Sequence, residues 1–235
     1  MNNKNNNLKV KKDNIYLLAG EHPREMISPE FMLHFITYLC ENQNSLAKKI
    51  LEKNNFRIIV NANPNGRLMV ENGEYCRRTN ENEIDLNRNW DYYFGKNINQ
   101  SEENSGRKAF SEIESVFVRD TIKNFNAKLF LSIHSGTLAL FHPYAYMHEG
   151  YQNTLNQKKM KEILGLLKSK YCKNCDMGAP SVLIGYQSSG TCLDYIYDNY
   201  KVPYSLAWEI YTNERDFIEL KEHIDNKNLA EKSKI

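Results

Sequence analysis

No stretch of this 235-residue chain approaches the roughly 20 apolar residues that a membrane-spanning helix requires, so a transmembrane reading is set aside. An excess of one charge is missing too. Lys and Arg number 31 against 29 Asp and Glu, a formal net charge of +2. No basic stripe with interleaved aromatics is present, and nothing points to a nucleic-acid partner. There is no internal repeat. The polar, low-complexity start Met1-Asn2-Asn3-Lys4-Asn5-Asn6-Asn7 contains no apolar core of the kind a signal peptide needs. The compartment therefore stays open: cytoplasmic as the chain stands, extracellular or vesicular if the N-terminus is incomplete. The sequon Asn99-Gln100-Ser101 is only a weak pointer to secretion. The five cysteines, Cys40, Cys76, Cys172, Cys175 and Cys192, are an odd count, so they cannot all pair, and they form no clear framework. Cys172-Lys173-Asn174-Cys175 has no second CxxC, and a structural or incidental reading is preferred over metal or redox use.

A hydrophobic content of 41% with 26% charged residues is that of a globular chain, and the length suits one domain with a substantial core. Strand patterns fall near 15–19, 56–62, 128–133, 181–186 and 203–210. Helical patterns fall near 28–41, 111–124, 154–169, 190–199 and 215–229. Ser28 reads as a helix cap, and Ser111 with Glu114 as a capping box. The alternation predicts an α/β fold, a sheet sandwiched by helices. Residues 63–110 read as polar and irregular, and a stretch of that length within a compact domain is usually functional or disordered.

Within this frame, Ala19-Gly-Glu-His-Pro-Arg-Glu-Met-Ile-Ser-Pro29 places His22 and Glu25 three residues apart, where a strand pattern ends and a helix begins. Open α/β sheets present their ligands at such turns. An imidazole and a carboxylate so spaced can converge on one cation, but a solvated surface pair is the commoner outcome. The apolar run Leu129–Ile133 ends in His134, a third candidate, for which the plain alternative is a satisfied core histidine. Two imidazoles and one carboxylate leave a fourth position for water, which distinguishes hydrolytic from structural zinc. In the last strand pattern, Pro203–Ile210, Glu209 is the lone carboxylate and must be paired, protonated or functional.

At this point the sequence resembles the zinc metallocarboxypeptidases of the carboxypeptidase A type, from about Ile15 to about Tyr211. His22-Pro23-Arg24-Glu25 resembles the family's first zinc motif, with Arg24 at its arginine position, and Ser132-Ile133-His134-Ser135 the second. Asn63-Pro64-Asn65-Gly66 is similar to the family's NPDG turn, and Cys76-Arg77-Arg78-Thr79 to its WRKT segment. Ile84-Asp85-Leu86-Asn87-Arg88-Asn89-Trp90 resembles its VDANRNW run. Phe141–Tyr146, Ile184–Gly190 and Trp208-Glu209 match three later motifs.

The resemblance implies a mixed central sheet and a catalytic domain over 15–235, after a polar segment 1–14. It implies His22, Glu25 and His134 as ligands of one Zn2+ per chain, and Glu209 as general base and proton shuttle. Arg77 is expected to polarise the scissile carbonyl, Asn87, Arg88 and Tyr186 to hold the substrate's terminal carboxylate, and Asp85 to orient His22. Leu193, at the floor of the side-chain pocket, and small Ala145 imply a preference for apolar or aromatic C-terminal residues. Thr191, at a position where relatives often carry glycine, is expected to narrow the pocket toward medium aliphatic side chains. The expected activity is removal of C-terminal residues from peptides or proteins by a monomer. The alternatives are a non-catalytic binder of peptide C-termini and a zinc amidohydrolase or deacylase on the same scaffold.

Elementary chemistry supports several of these roles independently. A free carboxylate is matched by the planar fork of an arginine, and an oxyanion forming beside zinc needs a second cation aimed at it. The main departure is at the N-terminus, where only residues 1–21 precede His22. Family members carry further strands there, and without them an unpaired strand edge is expected. The C-terminal helix also reads as shortened.

Overall fold

The computed structural model describes residues 11–41, 45–96, 104–147, 155–184 and 186–211. Strand β1 (Asp13–Ala19) leads into helix α1 (Ile27–Glu41) and α2 (Ser45–Lys53), then β2 (Asn54–Ile59) and α3 (Pro64–Glu71). A turn of 3-10 helix (Leu86–Arg88), α4 (Ile113–Lys123), β3 (Leu129–His134) and β4 (Ala139–Phe141) follow. The remainder is α5 (Leu155–Tyr171), β5 (Asp176–Gly178), α6 (Pro180–Leu183), α7 (Cys192–Asn199) and β6 (Tyr204–Glu209). The six strands form one sheet in the order β2-β1-β3-β6-β4-β5. It is mixed: β4 runs antiparallel to β6, and the other pairings are parallel.

From Ile15 to Ala19, β1 is apolar without interruption because both its faces are covered there, as parallel strands between helical layers require. Tyr16 and Leu18 pack with Phe130 against Val118 and Ile122 of α4 and Ile196 of α7. Leu17, Ala19 and Ile133 turn to the opposite face and meet Met32 and Phe35 of α1. α5 adds Met160 and Leu164 against Leu140 and Leu206. Tyr16, Leu18, Met32 and Phe130 are fully enclosed, and each such side chain contributes roughly 1.5–3 kcal/mol through burial. This packing holds the carboxyl ends of β1, β3 and β6 side by side.

Several expectations are corrected. The described residues among 181–186 do not form a strand. Pro180 opens the short helix α6 there, its fixed φ suiting a first helical position, and the edge strand is instead β5 just before it. Helix α3 occupies the start of the stretch read as irregular: Asn63 caps it by accepting from the Gly66 amide at 3.0 Å, and Pro64 stands in its first turn. The Ser111 capping box does not form. α4 starts at Ile113, and the Ser111 hydroxyl is engaged by Glu112 Oε1 at 2.6 Å and Asn89 Nδ2 at 2.9 Å. Ser28 lies inside the first turn of α1 and donates to the Glu25 carbonyl at 2.6 Å. Cys172 and Cys175 form a disulfide at the end of α5, whereas Cys40, Cys76 and Cys192 take part in no disulfide. The helix expected at 215–229 lies outside the described residues. Among the described residues β2 is one sheet edge, and no helix is long and apolar enough to cross a membrane.

Candidate active site

The chain order of the sheet reverses at β1. From β1 the chain passes to β2 on one side, while β3 lies on the other. In open α/β sheets the crevice at such a reversal, outside the strand carboxyl ends, is where ligands bind. Gly20 makes the exit from β1 possible: its φ is +76°, and a Cβ there would stand 2.6 Å from Asn61 Oδ1. The bend that follows brings His22 and Glu25 over the strand ends, closed by a bond from the Glu25 amide to the His22 carbonyl at 3.1 Å. His134 is the last residue of β3, and Glu209, the last of β6, is its register partner.

Three buried side chains converge here. His22 Nδ1 lies 2.6 Å from Glu25 Oε1, and His134 Nδ1 lies 2.9 Å from Glu25 Oε2. One ligand atom from each of the three falls within 4.8 Å of the others. The outer nitrogens also face carboxylates: His22 Nε2 is 3.1 Å from Asp85 Oδ1, and His134 Nε2 is 3.2 Å from Glu21 Oε2 and 2.8 Å from Ser132 Oγ. Two imidazoles and a carboxylate aimed at one point, each imidazole backed by an acceptor, is a donor set that suits a divalent zinc ion.

The electrostatics agree with that geometry. Burial and the Arg78 charge oppose protonation of His22, but Glu25 and Asp85 outweigh them and its pKa is raised. Burial is likewise overcome at His134, where Glu25 and Glu21 lift the pKa well above the ordinary value. Burial alone would raise Glu25; the two imidazoles lower it instead. Burial is opposed at Asp85 by Arg78, His22 and Arg88, which hold it well below the carboxylate range. In the metal-free chain the imidazoles thus hold protons that a metal must displace. Zinc-induced thermal stabilisation is therefore expected to grow from about pH 6 to about pH 8. Each displaced proton strengthens apparent binding by up to about 1.4 kcal/mol per pH unit. A thermal-shift series with and without zinc reads this directly, and a flat or declining pH dependence would contradict it.

A cavity of about 340 Å³ opens beside the cluster. Glu209 faces it, and its Oε2 is buried with no hydrogen-bond partner among the described residues. Burial and the Glu25 charge push Glu209 up to about 7, against the pull of His134 and His22. Asn87, Arg88, Tyr186, Arg24 and Leu193 also line the cavity. Arg88 is anchored by bonds to the Asn87 carbonyl at 2.9 Å and Ser188 Oγ at 3.2 Å, and Asn87 Oδ1 accepts from the Cys192 amide at 2.9 Å. Gly190 locks this arrangement: a Cβ there would lie 2.1 Å from the Arg88 carbonyl oxygen, so only glycine lets the two segments meet. Arg24 donates to the Cys76 carbonyl at 3.0 Å. One wall is apolar, made by Phe141, Ala145, Ile184, Leu193 and Ala207.

Arg77 is placed differently from the sequence expectation. It is turned away from the cavity, pairing with Glu74 Oε2 at 2.7 Å and donating to the Asn80 carbonyl at 2.6 Å. Its neighbour Arg78 lines the cavity instead, its Nε donating to Asp85 Oδ2 at 2.8 Å. The sequence reading also passed over Glu21, although an acidic residue directly before a candidate metal histidine was a visible signal. Asp194 escaped as well. Fully buried, it accepts from the amides of Ala145 and Tyr146 at 3.0 Å and so holds the loop carrying the apolar wall. Burial raises Asp194 to about 7, although those two amides oppose the shift.

A model of the zinc carboxypeptidase family matches residues 1–232, and the chain belongs to that family. It is 30% identical to carboxypeptidase A1 of Bos taurus over 213 residues, 83% of this chain and 50% of that protein. Carboxypeptidase A1 of Homo sapiens is 29% identical, covering 85% of this chain and 51% of its own length. The chain thus spans about half the length of the curated relatives it matches. Among solved structures, the carboxypeptidase A of Helicoverpa armigera superposes with a TM-score of 0.71 at 24% identity, covering 86% of this chain and 54% of that one. Bovine thrombin-activatable fibrinolysis inhibitor, in complex with tick carboxypeptidase inhibitor, gives 0.73 at 24%, covering 86% and 73%. These likenesses establish the fold.

Proposed function

We propose that the chain is a zinc-dependent metallocarboxypeptidase that hydrolyses the C-terminal bond of peptides and proteins, with one zinc ion per chain. The observation that carries the reading is one cavity holding all the required groups: the His22, Glu25 and His134 cluster, the Glu209 carboxyl oxygen with no partner among the described residues, anchored Arg88 and an apolar wall. His22, Glu25 and His134 would hold the metal. When bound, zinc supplies Lewis-acid polarisation and a water acidified toward a pKa of about 7.

The chain's own residues do the rest. Glu209 takes a proton from the attacking water as the water oxygen adds to the scissile carbonyl carbon. It returns that proton to the departing amine nitrogen when the C–N bond breaks. Arg78 supplies the second cation for the developing oxyanion, the part first given to Arg77. Arg88, with Asn87 and Tyr186, grips the terminal carboxylate and sets the chain direction, and Arg24 borders the substrate path. The wall of Phe141, Ala145, Ile184, Leu193 and Ala207 offers no carboxylate to a lysine or arginine, which supports a preference for apolar or aromatic ends.

Mass spectrometry of peptides ending in Phe, Leu, Lys or Glu tests this reading, with and without a zinc chelator. Chelator-sensitive loss of single C-terminal residues, fastest from Phe or Leu, is expected; no trimming by a folded, zinc-loaded chain would sink the proposal. Arg88→Ala should lower kcat/KM on free-carboxylate peptides about 10-fold to 100-fold, since a charge-assisted bond of about 1.5–3 kcal/mol is lost. Arg88→Lys should rescue little of it, because a point charge does not reproduce the fork. An Arg88→Ala chain that cleaves normally would remove the carboxylate clamp and favour a deacylase.

A further inference from the structure

We propose that Glu21 is a positioning residue of the metal centre, fixing His134 as Asp85 fixes His22. The inference rests on reading His22, Glu25 and His134 as metal ligands. Glu21 directly follows Gly20 at the end of β1, is 3% exposed, and has its carbonyl held by Asn63 Nδ2 at 3.1 Å. Its side chain crosses to β3, where Oε2 accepts from Ser132 Oγ at 3.1 Å and lies 3.2 Å from His134 Nε2. The Cys192 thiol approaches the same oxygen at 3.5 Å.

The direction of these bonds is determined by what each group can donate. A carboxylate only accepts, so the single hydroxyl proton of Ser132 goes to Glu21, leaving a Ser132 lone pair for His134. Both neighbours of His134 Nε2 are therefore acceptors, and they select the tautomer with hydrogen on Nε2. The lone pair of Nδ1 is then left facing the cluster, where a metal needs it. At His22 the same division holds, with Asp85 on Nε2 and Nδ1 toward Glu25.

Charge supplies the second part of the argument. A buried carboxylate is unfavourable unless compensated. Among the described residues no lysine or arginine pairs with Glu21; its ion-pair partner is His134. Asp85, in contrast, also has Arg78. A carboxylate buried against one imidazole is poorly justified as a stabiliser of the empty fold. It is well justified once a dication sits on the far side of that imidazole, because it makes the ligand more basic and fixes the plane of the ring.

The test uses the full chain carrying Glu21→Gln, which keeps the shape and an acceptor but not the charge, and Glu21→Ala, which keeps neither. Zinc retention is measured by competition with a chelator, together with the visible spectrum of the cobalt-substituted chain and the melting of the metal-free chain. Both variants are expected to release zinc more readily, by about 10-fold to 100-fold with Ala the more severe. The cobalt spectrum should shift, while the metal-free Gln variant melts no lower than wild type. Zinc retention and a cobalt spectrum equal to wild type in the Gln variant would overturn the proposal, leaving Glu21 a packing group. If the Ala variant does not fold, the Gln variant decides. A wild-type chain that binds no zinc would instead refute the metal reading itself, a failure distinct from that of Glu21.

Discussion

Glu209→Gln is expected to lower kcat by about 10²-fold to 10⁴-fold, the range set by a positioned general acid–base group, with KM little changed. Glutamine has the same shape and cannot accept the water proton, so the loss falls on chemistry rather than on binding. The Oε2 atom is buried with no partner among the described residues, and the other carboxylate lining the cavity, Glu25, is already engaged by His22, His134 and the Ser135 amide. The variant also carries a stability signature. Burial and Glu25 raise Glu209 from its ordinary value of 4.5 to about 7 in the metal-free fold. Across that window the folded chain binds more protons than the unfolded one, so stability falls as pH rises. Glutamine has no charge to bury. The metal-free variant should therefore melt higher than wild type above about pH 7, and the difference should vanish below about pH 4.5. Turnover retained by a folded Glu209→Gln chain would take Glu209 out of the proton path.

How much of this site could be read in the sequence depends on where each residue stands in its element. His134 and Glu209 were legible because each is a polar residue ending an apolar run, and in a parallel sheet such ends gather at one rim. His22 and Glu25 were legible from their spacing after another such run. The strand expected at 181–186 failed because a short apolar run does not distinguish strand from helix, and Pro180 decided for helix. β4, with three residues, and the lysine-rich α2 were too short or too polar to register. Glu21 was missed for a different reason. Its role depends on a left-handed bend at Gly20 that turns its side chain back toward β3. No periodicity encodes that turn; it follows from the close approach of Asn61.

The adjacent arginines are the sharpest case. The motif offered Arg77 and Arg78 side by side, and nothing in composition or spacing tells which of two neighbours faces inward. In the structure Glu74, three residues earlier and half exposed, draws Arg77 outward, while buried Asp85 draws Arg78 to the cavity rim beside His22. Arg78→Ala is accordingly expected to lower kcat by about 10²-fold to 10³-fold, the effect of losing one donor to a developing oxyanion. Arg77→Ala gives up a half-exposed ion pair worth about 0–1 kcal/mol, and its kcat should stay within a few-fold of wild type. Because Arg78 also holds Asp85, and through it His22, zinc retention must be measured in the same variants. Arg78→Lys, which preserves a cation beside Asp85, should keep zinc near wild type and still lose most of the rate. An Arg77→Ala chain with the large loss and an Arg78→Ala chain with a small one would restore the assignment that the motif first suggested. It would also mean that the loop from Glu74 to Asp85 rearranges when substrate enters.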